Sequence, residues 1–140
     1  MKSLAIRTGC FVLAGLFVSC SDCNDCLDVQ QKDILIQDSN GNNLLFGTNA
    51  IFDPEKVTLS SGGETAQPLF IDRDTQTLQF SLNDGVTTYT LRLDDDNTET
   101  IVFELGERNS DRCCGNQVFS MATQLNGAGI ANNDVISIIK

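Results

Sequence analysis

Residues 77–105 have the sequence TLQFSLNDGVTTYTLRLDDDNTETIVFEL, in which apolar and polar side chains alternate in three short runs. Alternation with a period of two is the pattern of a β-strand that buries one face. Asn83-Asp84-Gly85 separates the first two runs, and Asp-Gly between alternating runs is a strong hairpin signal. Four polar residues, 94–97, separate the second run from the third. The stretch therefore predicts a three-stranded antiparallel meander.

The same alternation extends to both sides of this stretch. Residues 34–46 predict a hairpin with its turn at Asn40-Gly41. No window has sustained helical spacing, and further strands are predicted near residues 57–59, 69–71, 118–125 and 135–139. Polar residues at alternate positions favour sheets with one solvated face. The predicted fold is a single antiparallel β-sandwich, Ig-like or similar, with a small up-and-down barrel as the alternative.

The N-terminal segment has a different composition. Lys2 and Arg7 precede an apolar run over residues 11–18, which ends at Ser19-Cys20. A membrane-spanning helix needs about 20 apolar residues. The apolar segment here is too short for that, but it has the length of the hydrophobic region of a secretory signal.

This segment resembles a bacterial lipoprotein signal peptide that ends in a lipobox, with Phe17 three positions before Cys20 and Ser19 directly before it. In the usual lipobox the third position before the cysteine is Leu, and here the nearest Leu is Leu16, one position earlier. The resemblance implies cleavage between Ser19 and Cys20. It also implies a diacylglycerol on the Cys20 thiol and acylation of the new amine.

The residues after Cys20 refine the predicted location. Ser21 stands where an aspartate would favour retention in the inner membrane, so the outer membrane is favoured. The acidic residues Asp22, Asp25 and Asp28 resemble the export tag of surface-exposed lipoproteins, and a solvated acidic linker is the alternative interpretation. We therefore expect a lipid-anchored outer-membrane protein that is exposed at the cell surface. The predicted organisation is a signal peptide over 1–19, a lipidated cysteine and acidic tether over 20–26, and a β domain over 27–140.

The charge of the chain excludes some partners. Nine basic residues oppose nineteen acidic ones, and loss of Lys2 and Arg7 with the signal would change the net charge from −10 to −12. Such a chain repels phosphate backbones and anionic lipid head groups, so no nucleic-acid partner is expected. Contact with the membrane would then be made through the N-terminal lipid.

Four cysteines would remain for disulfides once Cys10 has left with the signal and Cys20 carries the lipid. In an oxidising compartment four cysteines predict two bonds with three possible pairings. A bond between adjacent cysteines requires a strained ring, so a link of the first pair to the second is favoured, in either register. A metal site built from the four thiolates is the less favoured alternative. The four are Cys23, Cys26, Cys113 and Cys114.

The chain contains no histidine, which excludes nucleophilic catalysis by a Ser-His-Asp or Cys-His arrangement. No enzymatic activity and no cofactor are expected. The strongest candidate for a ligand site is a calcium site at Asp94, Asp96 and Asn97, whose oxygen atoms are the donors that Ca²⁺ prefers. Turns between strands collect the same residue types for backbone reasons alone, so an ordinary solvated turn is the competing interpretation.

These observations favour a surface binding or accessory module for an envelope protein or a glycan. A passive structural lipoprotein without a ligand is the alternative, and a carrier of a small apolar ligand inside a barrel is a further one. A protein-binding surface would need outward aromatic residues. Phe52, Phe70 and Phe119 are the three that the alternation does not place firmly in the core.

Overall fold

The computed structural model describes residues 30–62, 65–109 and 116–140. Ser19, Cys20 and the four cysteines predicted to form disulfides lie outside these residues. The described chain forms ten strands, which are β1 (Gln31–Gln37), β2 (Thr58–Ser61), β3 (Thr65–Gln67), β4 (Phe70–Asp72), β5 (Thr77–Ser81), β6 (Thr88–Arg92), β7 (Thr98–Asn109), β8 (Asn116–Leu125), β9 (Ala128–Ile130) and β10 (Val135–Ile139).

The strands form two sheets that pack face to face as a β-sandwich, which confirms the predicted fold class. One sheet has four strands in the order β10-β1-β5-β4, and the other has six in the order β3-β2-β6-β7-β8-β9. In this part of the chain the sheets stay open, so the barrel alternative is not adopted. The apolar positions of both sheets meet in a single core.

Three aromatic rings join the sheets at the centre of the core. Phe80 of the four-stranded sheet contacts Tyr89 and Phe103 of the six-stranded sheet, at ring-centroid distances of 5.1 and 6.2 Å. Tyr89 and Phe103 pack edge to face at 5.7 Å. Aromatic pairs in such tilted arrangements add about 0.5–1.5 kcal/mol each to the stabilisation from burial. This cluster therefore helps to set the relative position of the two packed sheets.

The predicted meander is wrong at its first turn. β5 pairs with β1 and β4, whereas β6 pairs with β2 and β7, so the Asn83-Asp84-Gly85 turn carries the chain from one sheet to the other. The Asn83 amide donates to the hydroxyl of buried Tyr89 at 2.9 Å and ties this connection to the core. The second turn is as predicted, since β6 and β7 form an antiparallel hairpin around residues 94–97.

Only the first strand of the hairpin predicted over residues 34–46 is present. β1 ends at Gln37, which makes a single bridge to Asn43, and no second strand follows. The Asn43 side chain accepts hydrogen bonds from the amides of Leu45 and Phe46, which turns the chain away from β1. Leu44 and Leu45 are therefore both buried, which an alternating strand could not achieve.

The remaining predicted strands are present as β2, β4, β8 and β10. One pairing departs from a purely antiparallel sandwich, because β10 runs parallel to β1. In the described part of the chain, no helix has the length and apolarity to span a membrane.

A buried charged side chain lies near each end of the core. Lys32 is 1% exposed and donates to the carbonyl of Asn133 at 2.9 Å and to the Asp134 carboxylate at 3.3 Å. Near the other end, Glu99 is buried and pairs with Lys140 and with the Asn126 amide. Both side chains have partners, as burial of a charge requires.

Candidate functional site

A β-bulge bends the longest hairpin of the molecule. Glu104 pairs with Ala122 and Leu105 pairs with Ser120, so Met121 is an extra residue on β8. A bulge increases the local twist and bends the strand that contains it. We call the part of β7 and β8 beyond this bulge, residues 105–109 and 116–120, the arm. The Ser120 amide of the arm donates to the side-chain oxygen of Gln30 at 2.5 Å. The arm is thereby held against the start of β1.

The arm and the four-stranded sheet enclose a cleft of about 570 Å³, which we call the arm cleft. This volume falls within the usual range of ligand pockets, about 300–1,000 Å³. Most of the lining side chains are polar and planar, and the arm supplies a cation and an aromatic ring. The lining residues are Gln30, Gln31, Asp33, Gln79, Arg108, Val118, Phe119 and Asp134.

A polar strip crosses the outer face of the four-stranded sheet beside this cleft. Asp33 pairs with Gln79, and Gln79 pairs with Phe70, so the three side chains share one face. The Gln79 amide donates to the Asp72 carboxylate at 3.1 Å. Phe70 at the end of the strip is 61% exposed. The strip therefore runs from a carboxylate in the cleft to an exposed aromatic ring.

Asp33 occupies an unfavourable electrostatic position in the cleft. Partial burial raises the pKa of its carboxyl, and the nearby charges of Asp72 and Asp134 raise it further. A hydrogen bond with Gln79 acts in the opposite direction but does not cancel the rise. A carboxylate with a raised pKa in a cleft is a typical feature of a functional site.

Replacing Asp33 with asparagine is expected to stabilise the domain at pH 7, by about 1–3 °C in Tm. Because the folded-state pKa of Asp33 is raised, the folded protein loses stability as pH rises from below 3.8 through that pKa. The Tm advantage of Asp33→Asn should therefore vanish in acid, where the carboxyl is protonated in both states. Thermal melts of both proteins between pH 3 and 7 measure this difference.

Glu104→Gln is the matched control, since it makes the same change in net charge at an exposed position of β7. An Asp33→Asn protein that is no more stable than this control at pH 7 would contradict the electrostatic assignment.

Gly106 allows the Phe119 ring to lie across the backbone of β7. The two residues are paired, and a Cβ at position 106 would lie 2.7 Å from Cζ of Phe119 and 3.1 Å from the Met121 side chain. No side chain larger than hydrogen fits there without moving the ring. Arg108, one step along the same face, donates from Nε to the Gln117 side chain at 2.8 Å.

A second cleft, of about 470 Å³, lies at the β6–β7 turn and includes Asp94 of the predicted calcium site. Its charged residues are largely paired with each other, as in the Arg92–Asp95 contact at 2.5 Å and the Lys56–Asp53 contact at 3.8 Å. The arm cleft is larger than this second cleft, and it contains Asp33, a carboxyl whose pKa is raised. We therefore treat the arm cleft as the candidate site.

The predicted calcium ligands form a hydrogen-bonded turn. The Asp94 carboxylate accepts bonds from the Asp96 amide and from both the amide and the side chain of Asn97. The Asn97 side chain is the main reason that the pKa of Asp94 is lowered. Among the described residues, no group of three or more His, Cys, Asp or Glu is placed to hold a metal ion. Calcium binding at Asp94, Asp96 and Asn97 stays a prediction.

The three uncertain aromatic residues have different positions. Phe52 joins the core, Phe70 is exposed beside Gln79, and Phe119 is half-buried in the arm cleft. Sequence analysis did not find Asp33, Gln79 or Arg108. Asp33 and Gln79 occupy outward positions of their strands, and the alternation of the sequence could have shown this. The sequence does not show that the arm lies beside them.

The fold and the cleft define a small acidic β-sandwich domain with a polar groove on the outer face of its smaller sheet. No protein-family model, curated protein or solved structure matches this chain.

Proposed function

We propose that this chain is a lipid-anchored envelope protein whose β-sandwich binds a neutral glycan in the arm cleft. The observation that carries the proposal is the lining of this cleft. Planar amide and carboxylate side chains line the cleft together with Phe119 of the arm, and Phe70 lies beside one of them, Gln79, on the edge strand β4.

The polar side chains suit a ligand that is rich in hydroxyl groups. A hydroxyl group both donates and accepts, and so requires acceptors and donors close together. Asp33 supplies acceptors, and the Gln79 side chain supplies an acceptor oxygen, since its nitrogen already donates to Asp72. The Gln31 amide supplies both a donor and an acceptor, and each of these groups has two polar atoms in one plane. Two such atoms can bind neighbouring hydroxyls of one sugar ring. Gln31 extends the same lining towards the start of β1.

The aromatic side chains suit the apolar face of a sugar ring. Phe70 lies opposite Gln79 on the neighbouring strand, a relation that places two side chains about 4.5–5.5 Å apart at Cβ. A ring that is 61% exposed offers its face to a ligand that also hydrogen-bonds to Gln79. Phe119 is the aromatic residue in the lining of the cleft itself.

The charges favour a neutral ligand over an anionic one. Two carboxylates, Asp33 and Asp134, line the cleft, and Asp72 lies beside it. Arg108 is the positively charged residue among the lining residues. The whole chain carries a net charge of −10. Like charges repel an anionic polysaccharide and reduce its rate of association. Neutral hexose or N-acetylhexosamine units avoid that repulsion.

The lipoprotein-like N-terminus supports an envelope location for this activity. Acylation of Cys20 would hold the domain within a short tether of a membrane, where surface and envelope glycans are abundant. Two or more acyl chains give durable anchoring that one chain does not.

An NMR titration tests the proposal. The ¹⁵N-labelled full chain in detergent is titrated with neutral oligosaccharides: cellobiose, maltose, mannobiose and chitobiose. We expect at least one of them to shift the side-chain amide signals of Gln31 and Gln79. Loss of the Gln79 amide removes one or two hydrogen bonds worth about 0.5–1.5 kcal/mol each, so Gln79→Ala should weaken binding by about 2–10-fold.

Two further variants distinguish the cleft from the rest of the surface. Gln124→Ala removes an exposed glutamine of β8 that is not part of the cleft, and should bind normally. Gly106→Ala displaces the Phe119 ring and should weaken binding while the sandwich stays folded. If no oligosaccharide shifts the cleft signals, or if Gln124→Ala weakens binding as much as Gln79→Ala, the assignment is wrong.

A further inference from the structure

β10 is the longest edge strand among the described residues, and it has few of the features that protect such edges. β3, β4 and β9 have three residues each, whereas β10 has five, with the sequence VISII. Natural edge strands are commonly shortened or protected by charges, proline or bulges, because an unpaired edge is a template for another strand. β10 contains no charge and no proline, and it pairs with β1 without a shift in register.

Within the described part of the chain, the backbone groups of β10 that have no strand partner belong to alternate residues. The Asp134 carbonyl accepts from the Asp33 amide, and the Lys140 amide donates to the Gln37 carbonyl. In a parallel pair, this pattern directs the even-numbered residues of β10 towards β1. The amides and carbonyls of Val135, Ser137 and Ile139 therefore face away from the sheet, and each offers one donor and one acceptor.

The strand is complementary to itself when a second copy runs antiparallel to it. With Ser137 opposite Ser137, Val135 lies opposite Ile139, and every residue in these pairs has its free backbone groups on the shared edge. Val135 and Ile139 are 42% and 65% exposed, so each would cover the other. Cross-strand apolar pairs contribute about 0.2–1 kcal/mol each.

The charges at the ends of the strand fit the same register. Asp134 precedes β10 and Lys140 follows it, so each lies opposite the other residue of the second copy. The Asp134 side chain is 81% exposed while bound to Lys32, so it is accessible to a second cation. The Lys140 side chain is 24% exposed and already pairs with Glu99, so in the dimer its ammonium group would lie between two carboxylates. A parallel arrangement would instead place Asp134 against Asp134 and Lys140 against Lys140, so repulsion disfavours it.

We propose that two copies of this chain pair through β10, in antiparallel orientation about Ser137, to form a continuous eight-stranded sheet. The pairing satisfies the outward backbone groups of Val135, Ser137 and Ile139 and covers the exposed side chains of Val135 and Ile139. Of the residues that form this pairing, Asp134 also lines the arm cleft, but the backbone pairing of β10 does not depend on the proposed glycan binding.

Disulfide crosslinking of the intact protein tests this register. Paired residues that exchange hydrogen bonds have Cα atoms about 5.5 Å apart, within the range that a disulfide bridges. Ser137→Cys should therefore give a covalent dimer on mild oxidation, with a 137–137 crosslink in the peptide mass spectrum. Ile139→Cys is the matched control on the same edge, because its opposite residue is Val135, and it should crosslink several-fold less than Ser137→Cys.

Two more variants complete the test. Adding Ile139→Lys to Ser137→Cys places a charge against Val135 of the second copy, and should reduce the crosslink strongly. Ala128→Cys, on the β9 edge of the other sheet, should not crosslink. The proposal is overturned if Ser137→Cys crosslinks no more than Ile139→Cys or Ala128→Cys, if Ile139→Lys has no effect, or if the crosslink joins a different protein.

Discussion

Replacement of Phe80 by alanine is expected to lower the free energy of unfolding by about 3–5 kcal/mol. The ring is 1% exposed and contacts Tyr89 and Phe103 across the interface between the sheets. Alanine removes both contacts and leaves a cavity that the rigid sheets cannot close. Because a domain is typically stable by about 5–15 kcal/mol, this single change removes a large fraction of the total. Equilibrium urea unfolding measures it.

Phe70→Ala provides the comparison for this variant. It deletes the same ring from a position that is 61% exposed, where little packing is lost, and should change the free energy of unfolding by about 0.5 kcal/mol or less. Equal losses in the two variants would mean that Phe80 is not the centre of the core.

Replacement of Cys20 by serine is expected to abolish membrane attachment almost completely. Serine has no thiol to receive the diacylglycerol, and without it the acyl chains that the lipoprotein resemblance implies are not added. Fractionation of cells that express each form measures the membrane-bound share, and mass spectrometry of the N-terminal peptide measures acylation. The wild-type peptide should carry acyl chains on Cys20.

Cys10→Ser is the matched control for this second prediction, because Cys10 lies in the segment that cleavage removes. Its membrane-bound share should equal that of the wild type. A Cys20→Ser protein that is processed like the wild type and fractionates with the membrane to the same extent would refute both the lipid anchor and the signal cleavage site.

The difference between the two turns of the 77–105 stretch explains where sequence analysis succeeded and failed. The β6–β7 hairpin was predicted because the polar residues 94–97 separate two alternating runs, and its strands do pair. The β5–β6 turn is equally polar, yet its strands lie in opposite sheets. Alternation shows which face of a strand is buried, but it does not show to which sheet the strand belongs. Phe80 and Tyr89 would be buried whether β5 and β6 were neighbours in one sheet or lay in opposite sheets.

The candidate site could not be predicted for a related reason. Its residues come from the start of β1, from β5, from the arm and from the residue before β10, and they are spread over residues 30–134 of the chain. The bulge at Met121 brings the arm to the sheet, and a bulge has no dependable sequence signal. The burial of Lys32, in contrast, could have been predicted, because Lys32 lies on the same face of β1 as the buried Ile34 and Ile36.

Local alternation and turn chemistry were therefore enough to establish the all-β sandwich and the positions of most strands, because burial of one strand face depends on side chains two positions apart. The partner of each strand, the parallel closure of β1 by β10 and the cleft under the arm were decided by tertiary packing. These features depend on contacts between residues that are far apart along the chain. Such contacts produce no periodic pattern in the sequence, because several strands can pack against the same core.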